Sequence, residues 1–403
     1  MKTLLIIGAG KEQVTAIEQA KAKGIYTIAL DMNPHADGAV IADEFYPVST
    51  RDTAAILEFL KTYTKKIDGV MTIASDIPHV VSSAAEFLQV PHIPLSVAQT
   101  CVEKFLMKEV LEKAEVNVPA FATISSIEDL KAFIDKSGYP VVIKPVDNSG
   151  ARGVLCITSD TDLDWAFTYS KKFAFSGNLI AEKFIEGQQI STEGIMLDGI
   201  FYCTGFADRN YERLEITAPF MVEDGGDIPS VLGADKKTIV EQEFEKGVRA
   251  LGINWGPAKG DMVFGTDGKA YIIEIAARLS GGNFCYDKVP WSTGVDIVDV
   301  LIDMSVGNTV DSARLLPTKN LATSQRYFYP KPGTVSAIEG IEDAEKLTHI
   351  RKVDIWVKPG DVIPKAENHP SRVGYVISCA PTLEEAVHAS TEAVKTVHFV
   401  VTP

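Results

Sequence analysis

Apolar and polar positions alternate along the chain with two different periods. Residues 3–7 are a short apolar run, residues 11–23 carry apolar positions at helical spacing up to Gly24, and residues 25–30 are apolar again. The tight turn Gly8-Ala9-Gly10 joins the first two, and Asp31 closes the third. This β-α-β unit has an acidic residue about 20 positions after its glycines, the outline of a dinucleotide site. The third glycine is missing, because Lys11, Glu12 and Gln13 follow, and strand-turn-helix packing alone also selects such glycines. Residues 68–73 form a further strand with Ser75 and Asp76 at its carboxyl end, and 78–88 a helix. Residues 1–95 are therefore expected to be a small doubly wound domain whose ligand rim includes Gly8, Asp31, Ser75 and Asp76. Ser75-Asp76 suits a helix N-cap equally well.

From residue 96 the periods continue. A helix is expected over 96–113, capped by Ser96 and carrying Lys104 and Lys108, then a break at Asn117-Val118-Pro119. Strands follow at 120–123, 141–143, 154–157 and 179–184, with helices at 127–136 and 161–171. Residues 188–197 and 200–206 pair around Asp198-Gly199, and 257–265 and 269–276 around Thr266-Asp267-Gly268. Helices occupy 235–251 and 293–306. Beyond 320 the pattern shortens, with an aromatic run at Gln325–Tyr329, strands at 352–358 and 373–380, and a helix at 382–398. This tail reads as a compact α+β appendix without a catalytic constellation.

Three stretches carry chemistry. Residues 140–153 run from an apolar strand into Lys144, then Pro145, which has no amide to continue a ladder. Ser149, Gly150 and Gly153 make a small-residue loop whose amides can close on phosphate oxygens, and Arg152 adds a cation. No G-x-x-x-x-G-K-[ST] occurs. An ordinary strand with an edge lysine fits these residues equally well. The second stretch is Ala181-Glu182-Lys183-Phe184-Ile185-Glu186-Gly187, a strand edge that can meet adenine through its backbone, or a plain charged edge. In the third, Asp261 and Glu274 lie on the two strands of a hairpin, which brings them together on one face. Two hard oxygen ligands suit Mg²⁺ that takes the rest from triphosphate and water, though a polar hairpin with two exposed acids has the same spacing. Arg278 follows beside Gly281-Gly282 and can hold a phosphoryl or carboxylate group in a fork.

A net charge of −15 argues against a nucleic-acid face or an anionic membrane as partner, while local lysines can still bind an anionic ligand. The five cysteines have no paired spacing, which fits reduced thiols. The N-terminus reads as a first strand with no signal peptide, and no apolar run approaches a membrane span, so a cytoplasmic protein is expected. The seven histidines pair with nothing by spacing, and core or surface roles are expected for them.

Taken together these residues resemble the ATP-grasp superfamily of carboxylate–amine ligases, over nearly the whole chain. The run Glu-Ile-Ala-Ala-Arg-Leu-Ser-Gly-Gly from Glu274, and the tail with Arg326-Tyr327-Phe328-Tyr329-Pro330 and Arg372-Val373-Gly374, resemble the L-amino acid (dipeptide) ligase branch. The resemblance implies an α/β and α+β multidomain protein: a Rossmann-like pre-ATP-grasp domain at 1–95, an ATP-grasp domain at 96–320 (lid about 114–185, large part about 186–320), and a small α+β domain at 321–403. It implies ATP with Mg²⁺, or Mn²⁺ in its place, small-molecule amino-acid or carboxylate substrates, and a homodimer. Lys104 and Lys144 would hold the α- and β-phosphates. Ser149, Gly150 and Arg152 would lie on the closing loop. Glu182, Lys183, Phe184 and Ile185 would line the adenine site, with Gln189 at the ribose. Asp261 and Glu274 would bind the metal, and Arg278 would stabilise an acyl phosphate and its adduct. The substrate site would gather Arg278, Gly281, Gly282, Glu223, Asp227, Ser75 and Asp76. The sequence departs from many relatives in Gln189 for Glu, Ala276 for Asn, Asp261 for Glu and Lys259 for His. Rival readings are the same chemistry on a purine-pathway intermediate, a sugar-nucleotide amine or bicarbonate, an NAD-dependent oxidoreductase, and a non-catalytic nucleotide sensor.

Overall fold

The computed structural model describes residues 1–402. Its first sheet is parallel, in the order Glu44–Tyr46, Tyr26–Leu30, Thr3–Ile7, Gly69–Met71. Leu4, Leu5, Ile6 and Ile7 are all fully buried, as a parallel strand covered on both faces requires. Helices Val14–Ala22, Thr53–Thr62 and Pro78–Leu88 flank it. The middle helix and the Glu44–Tyr46 strand fall in a stretch to which no element had been assigned from the pattern.

The glycine turn is not open to a dinucleotide. The Asp31 carboxylate accepts the Ala9 N–H at 3.1 Å and the Asn33 N–H at 2.9 Å. A Cβ on Gly8 would stand 3.0 Å from the Gln13 side chain, so Gln13 fills the space where a pyrophosphate would approach.

The second sheet is antiparallel: Phe121–Ile124, Leu179–Lys183, Val141–Pro145, Leu155–Ile157. Helices Ile127–Ser137 and Leu163–Lys171 cover it, the first opened by a Ser126/Asp129 capping box. Pro145 is the last paired residue of its strand, opposite Leu179, and does not lie outside the ladder.

The third sheet has eight strands: Ala270–Ala276, Gly256–Gly265, Gly187–Leu197, Ile200–Asn210, Gly225–Ile228, Ala322–Tyr327, Gly374–Ala380, Ile350–Ile355. It crosses residue 320. Gly225–Ile228 pairs with Ala322–Tyr327 rung for rung, so the expected appendix shares one ladder with the large part of the clamp. The segment 219–230 supplies that linking strand. A three-stranded sheet of Val362–Ile363, Gly333–Glu339 and His398–Thr402 completes the tail.

The expected helix 96–113 is two helices, Leu95–Thr100 and Lys104–Lys113. Glu103 separates them because its carboxylate accepts from the Phe105 and Leu106 amides, which starts a new helix at Lys104. The first sheet packs on helix Ile297–Ser305, closely enough that a Cβ on Gly69 would meet the Ser305 carbonyl at 2.3 Å. One apolar core runs from Leu4 and Ile6 through Phe284 and Val289 to Leu301. Among the described residues no helix is long and apolar enough to cross a membrane.

Candidate active site

All three parts wall one cavity of about 350 Å³. Eight of its lining residues are Lys or Arg, seven of them through their side chains, and six are Asp or Glu, a positive balance inside a chain of net charge −15, as a polyphosphate would need.

At one end stand the lysines. Lys144, on strand Val141–Pro145, is 5% exposed and lies 2.8 Å from Glu182 Oε1. Lys108, on the second turn of helix Lys104–Lys113, reaches the same oxygen at 3.4 Å and donates to the Ile272 carbonyl at 3.0 Å. Burial opposes ionisation of Glu182, yet the two ammonium groups hold its pKa below the ordinary carboxylate value. Burial pushes Lys108 down to about 8. Glu182 is thus a buried counter-ion to two lysines, with Oε2 left for a ligand donor. Lys104 donates to the Asn148 carbonyl at 3.0 Å and lies 3.5 Å from Glu274. The Lys183 ammonium turns to the Gly138 and Tyr139 carbonyls, so its backbone is what borders the cavity, with Phe184, Ile185 and Gln189 beside it.

Asp261 and Glu274 are direct cross-strand partners. Asp261 Oδ1 sits 2.8 Å from Arg209 and 2.5 Å from Lys259, without a well-directed hydrogen bond. Burial opposes its ionisation, but these cations hold its pKa far below the usual range. Among the described residues no group of three or more His, Cys, Asp or Glu side chains could cage a metal. Two facing carboxylates are hard oxygen donors that fit a Mg²⁺ ion taking its other ligands from triphosphate and water.

Arg278 forks onto Asp76, with Nε at 2.7 Å and NH2 at 2.6 Å. Asp76 therefore does not cap the next helix; it aims the guanidinium, and burial, which would raise its pKa, is outweighed by Arg278. Ser75 does not line the cavity and lies 3.4 Å from Gln13 Nε2. The loop after Arg278 is held by two acids that the sequence pattern did not mark. Glu193 Oε2 accepts the Ser280 N–H at 2.6 Å, and Glu12 Oε2 accepts the Gly282 N–H at 3.0 Å. Burial pushes the Glu193 carboxyl up to about 7.

The loop over the lysines is stitched to itself. Ser149 N–H donates to Asn148 Oδ1, and Arg152 folds back onto the Ser149 carbonyl at 3.0 Å, so Arg152 is not among the residues facing the cavity. Ser149 and Gly150 do face it, and the Gly150 carbonyl accepts the His369 N–H at 3.1 Å.

That contact corrects the expectation of an inert tail. Gln325, Tyr327, His369 and Arg372 all line the cavity. Arg372 lies 3.7 Å above the Tyr327 ring, and donates to Tyr329 Oη and the Glu223 carbonyl. His369 is no satisfied core histidine: its Nε2 is buried without a partner, and burial pushes its pKa down to about 3. Arg209, also unmarked in the sequence, clamps Glu223 at 2.7 Å and joins it to Asp261. Of the two acids expected to meet an ammonium, Glu223 lines the cavity but is paired. Asp227 does not line it, because Arg326 takes both its oxygens at 2.7 and 3.1 Å.

Known families match this architecture. Residues 101–282 match the ATP-grasp domain, and residues 326–402 match the L-amino acid ligase C-terminal domain 2. The chain belongs to the ATP-grasp carboxylate–amine ligases, enzymes that form carbon–nitrogen bonds at the expense of ATP. Within them, its tail is of the kind found in L-amino acid ligases. An uncharacterised protein of Sinorhizobium fredii is 24% identical over 98% of this chain and 81% of its own length. The L-arginine-specific L-amino acid ligase of Bacillus subtilis is 23% identical over 71% of this chain and 68% of its own. The crystal structure of L-amino acid ligase from Bacillus licheniformis shares the fold with a TM-score of 0.85, at 21% identity, over 100% of this chain and 99% of that one.

Proposed function

We propose that this chain joins two amino acids through an acyl phosphate, releasing ADP and phosphate. The observation that carries the reading is the make-up of the cavity: it runs from the Lys104–Lys144 end to a chamber walled by Arg278, Glu223, Tyr327 and Arg372, so the ligase-type tail borders the space beside the phosphate machinery.

Lys104 and Lys144 hold the α- and β-phosphates, while Ser149 and Gly150 close over them. Asp261 and Glu274 hold Mg²⁺, which supplies charge neutralisation between the phosphates. Arg278, aimed by Asp76, orients the first substrate's carboxylate so that its oxygen bonds to the γ-phosphorus as the β–γ bridge breaks. The neutral amine nitrogen of the second substrate then bonds to the acyl carbon, and phosphate leaves with the carboxylate oxygen and takes up the proton the nitrogen loses. Arg278 balances the charge that develops there. The closed loop keeps water from the acyl phosphate.

ADP and phosphate release from Mg-ATP, over a grid of single and paired amino acids, tests this. Release that needs a specific pair, with a product of the dipeptide mass, is expected. ADP formation that responds only to another carboxylate or amine moves the reading to another acceptor, and nucleotide binding without turnover under any addition moves it to a sensor.

A further inference from the structure

The cations around the cavity nearly all have an acid. Lys108 and Lys144 share Glu182, Arg209 has Glu223 and Asp261, and Arg278 has Asp76. Lys288 is different. It closes the turn Phe284–Lys288, is 5% exposed, joins no ion pair among the described residues, and has as its polar contact a long 3.5 Å approach to the Gly226 carbonyl. The acids nearest to it are committed elsewhere: Glu223 to Arg209, and Asp227 to Arg326 and Asn210. Burial lowers its pKa to about 8, which leaves it mostly charged at neutral pH.

Gln325 sits directly across the ladder from Gly226. It is 1% exposed, and its Nε2 finds no acceptor. A cation and an amide donor therefore border the same glycine, and both line the cavity. A Cβ on Gly226 would stand 2.8 Å from the Asp208 carbonyl and 3.3 Å from Lys288 Nζ, so the glycine keeps the ground beside that ammonium clear. Buried donors without acceptors are rare, and one of them beside a buried ammonium with a single long contact suits an anion with two oxygens.

We propose that Lys288 and Gln325 form a subsite for a carboxylate carried by the amine-bearing substrate, a role that rests on the ligase reading for which substrate occupies it. The carboxylate is either the α-carboxylate of that amino acid or one on its side chain.

The test is calorimetric titration into the full chain loaded with Mg²⁺ and a non-hydrolysable ATP analogue. The probes are L-amino acids, their α-amides, and Asp and Glu beside Asn and Gln. Lys288→Met is expected to weaken a carboxylate-bearing amine by about tenfold or more, Lys288→Arg by less, and Gln325→Leu by a fewfold, with nucleotide affinity unchanged. An α-amide that binds weakly and equally to wild type and Lys288→Met identifies the α-carboxylate. The same behaviour confined to Asn and Gln identifies the side-chain carboxylate. If Lys288→Met loses cooperative unfolding, Gln325→Leu decides alone. A wild type that binds no carboxylate probe, or variants that keep every affinity, overturns the proposal. Failure of the ligase reading is a separate result: no pair releases ADP, while Lys288-dependent carboxylate binding persists.

Discussion

The backbone N–H of His369 donates to the Gly150 carbonyl at 3.1 Å, which ties the tail to the loop that covers the lysines. Replacing His369 by Pro removes that donor, whereas Ala keeps it; both remove the imidazole. One such bond contributes about 0.5–1.5 kcal/mol, so His369→Pro is expected to raise the KM for ATP about 2- to 10-fold above that of His369→Ala. Equal KM values in the two variants would show that the contact plays no part in closing the loop.

Lys144→Met removes the ammonium proposed to meet a phosphate but leaves Glu182 with Lys108 as counter-ion. Turnover is expected to fall by about 10²–10³, with a cooperative fold retained. Glu182→Gln strips two buried ammonium groups of their only carboxylate and is expected to lower Tm more than Lys144→Met does. Thermal unfolding of the two variants side by side checks the order, and unaltered turnover in Lys144→Met would remove the lysine from the phosphate site.

Glu274→Gln takes away one of two facing carboxylates. The Mg²⁺ concentration giving half-maximal activity is expected to rise about tenfold or more. A metal titration that superposes on wild type would place the ion elsewhere.

Glu223 links two arginines to the cavity wall. Its ordinary value is 4.5; in the fold, burial opposes ionisation, but Arg209 and Arg372 hold it at about 2. The unfolded chain therefore takes up a proton first as pH falls. The stability this group contributes is complete above about pH 5 and lost on the way down to pH 2, roughly 3 kcal/mol in all. Urea unfolding between pH 6 and 3 is expected to show a flatter decline for Glu223→Gln than for wild type; parallel curves would refute the pairing.

Much of this site was legible because it is local. The Asp267-Gly268 turn sets the hairpin register as far as Met262 and Ile272, and a one-residue shift at Ile273 then brings Asp261 opposite Glu274. Lys144 follows from an apolar strand that meets a small-residue loop. What stayed hidden is non-local. Asp76 and Arg278 are 202 residues apart, and no spacing rule joins them. Arg209, Lys288, His369 and Arg372 each look like isolated polar residues until the eight-stranded sheet brings their segments round one cavity. The tail was read as separate because its strands are short, while pairing between Gly225–Ile228 and Ala322–Tyr327 leaves no trace in either segment's own pattern.

The continuous ladder from the metal hairpin to the tail also decides which parts can move independently. A swing of the tail against the large part would break backbone rungs at Gly225–Ile228, whereas the four-stranded sheet that carries Lys144 meets the large part at the isolated Leu155–Phe220 bridge, where the Cys156 N–H donates to the Pro219 carbonyl at 2.8 Å. If the smaller sheet hinges away to admit and release ligands, it has that bridge and the His369–Gly150 contact to part. The walls contributed by the eight-stranded sheet share one ladder, so such a motion would leave them in place. Selectivity can then be altered by exchanging side chains on fixed strands, without retuning the moving part that handles the nucleotide.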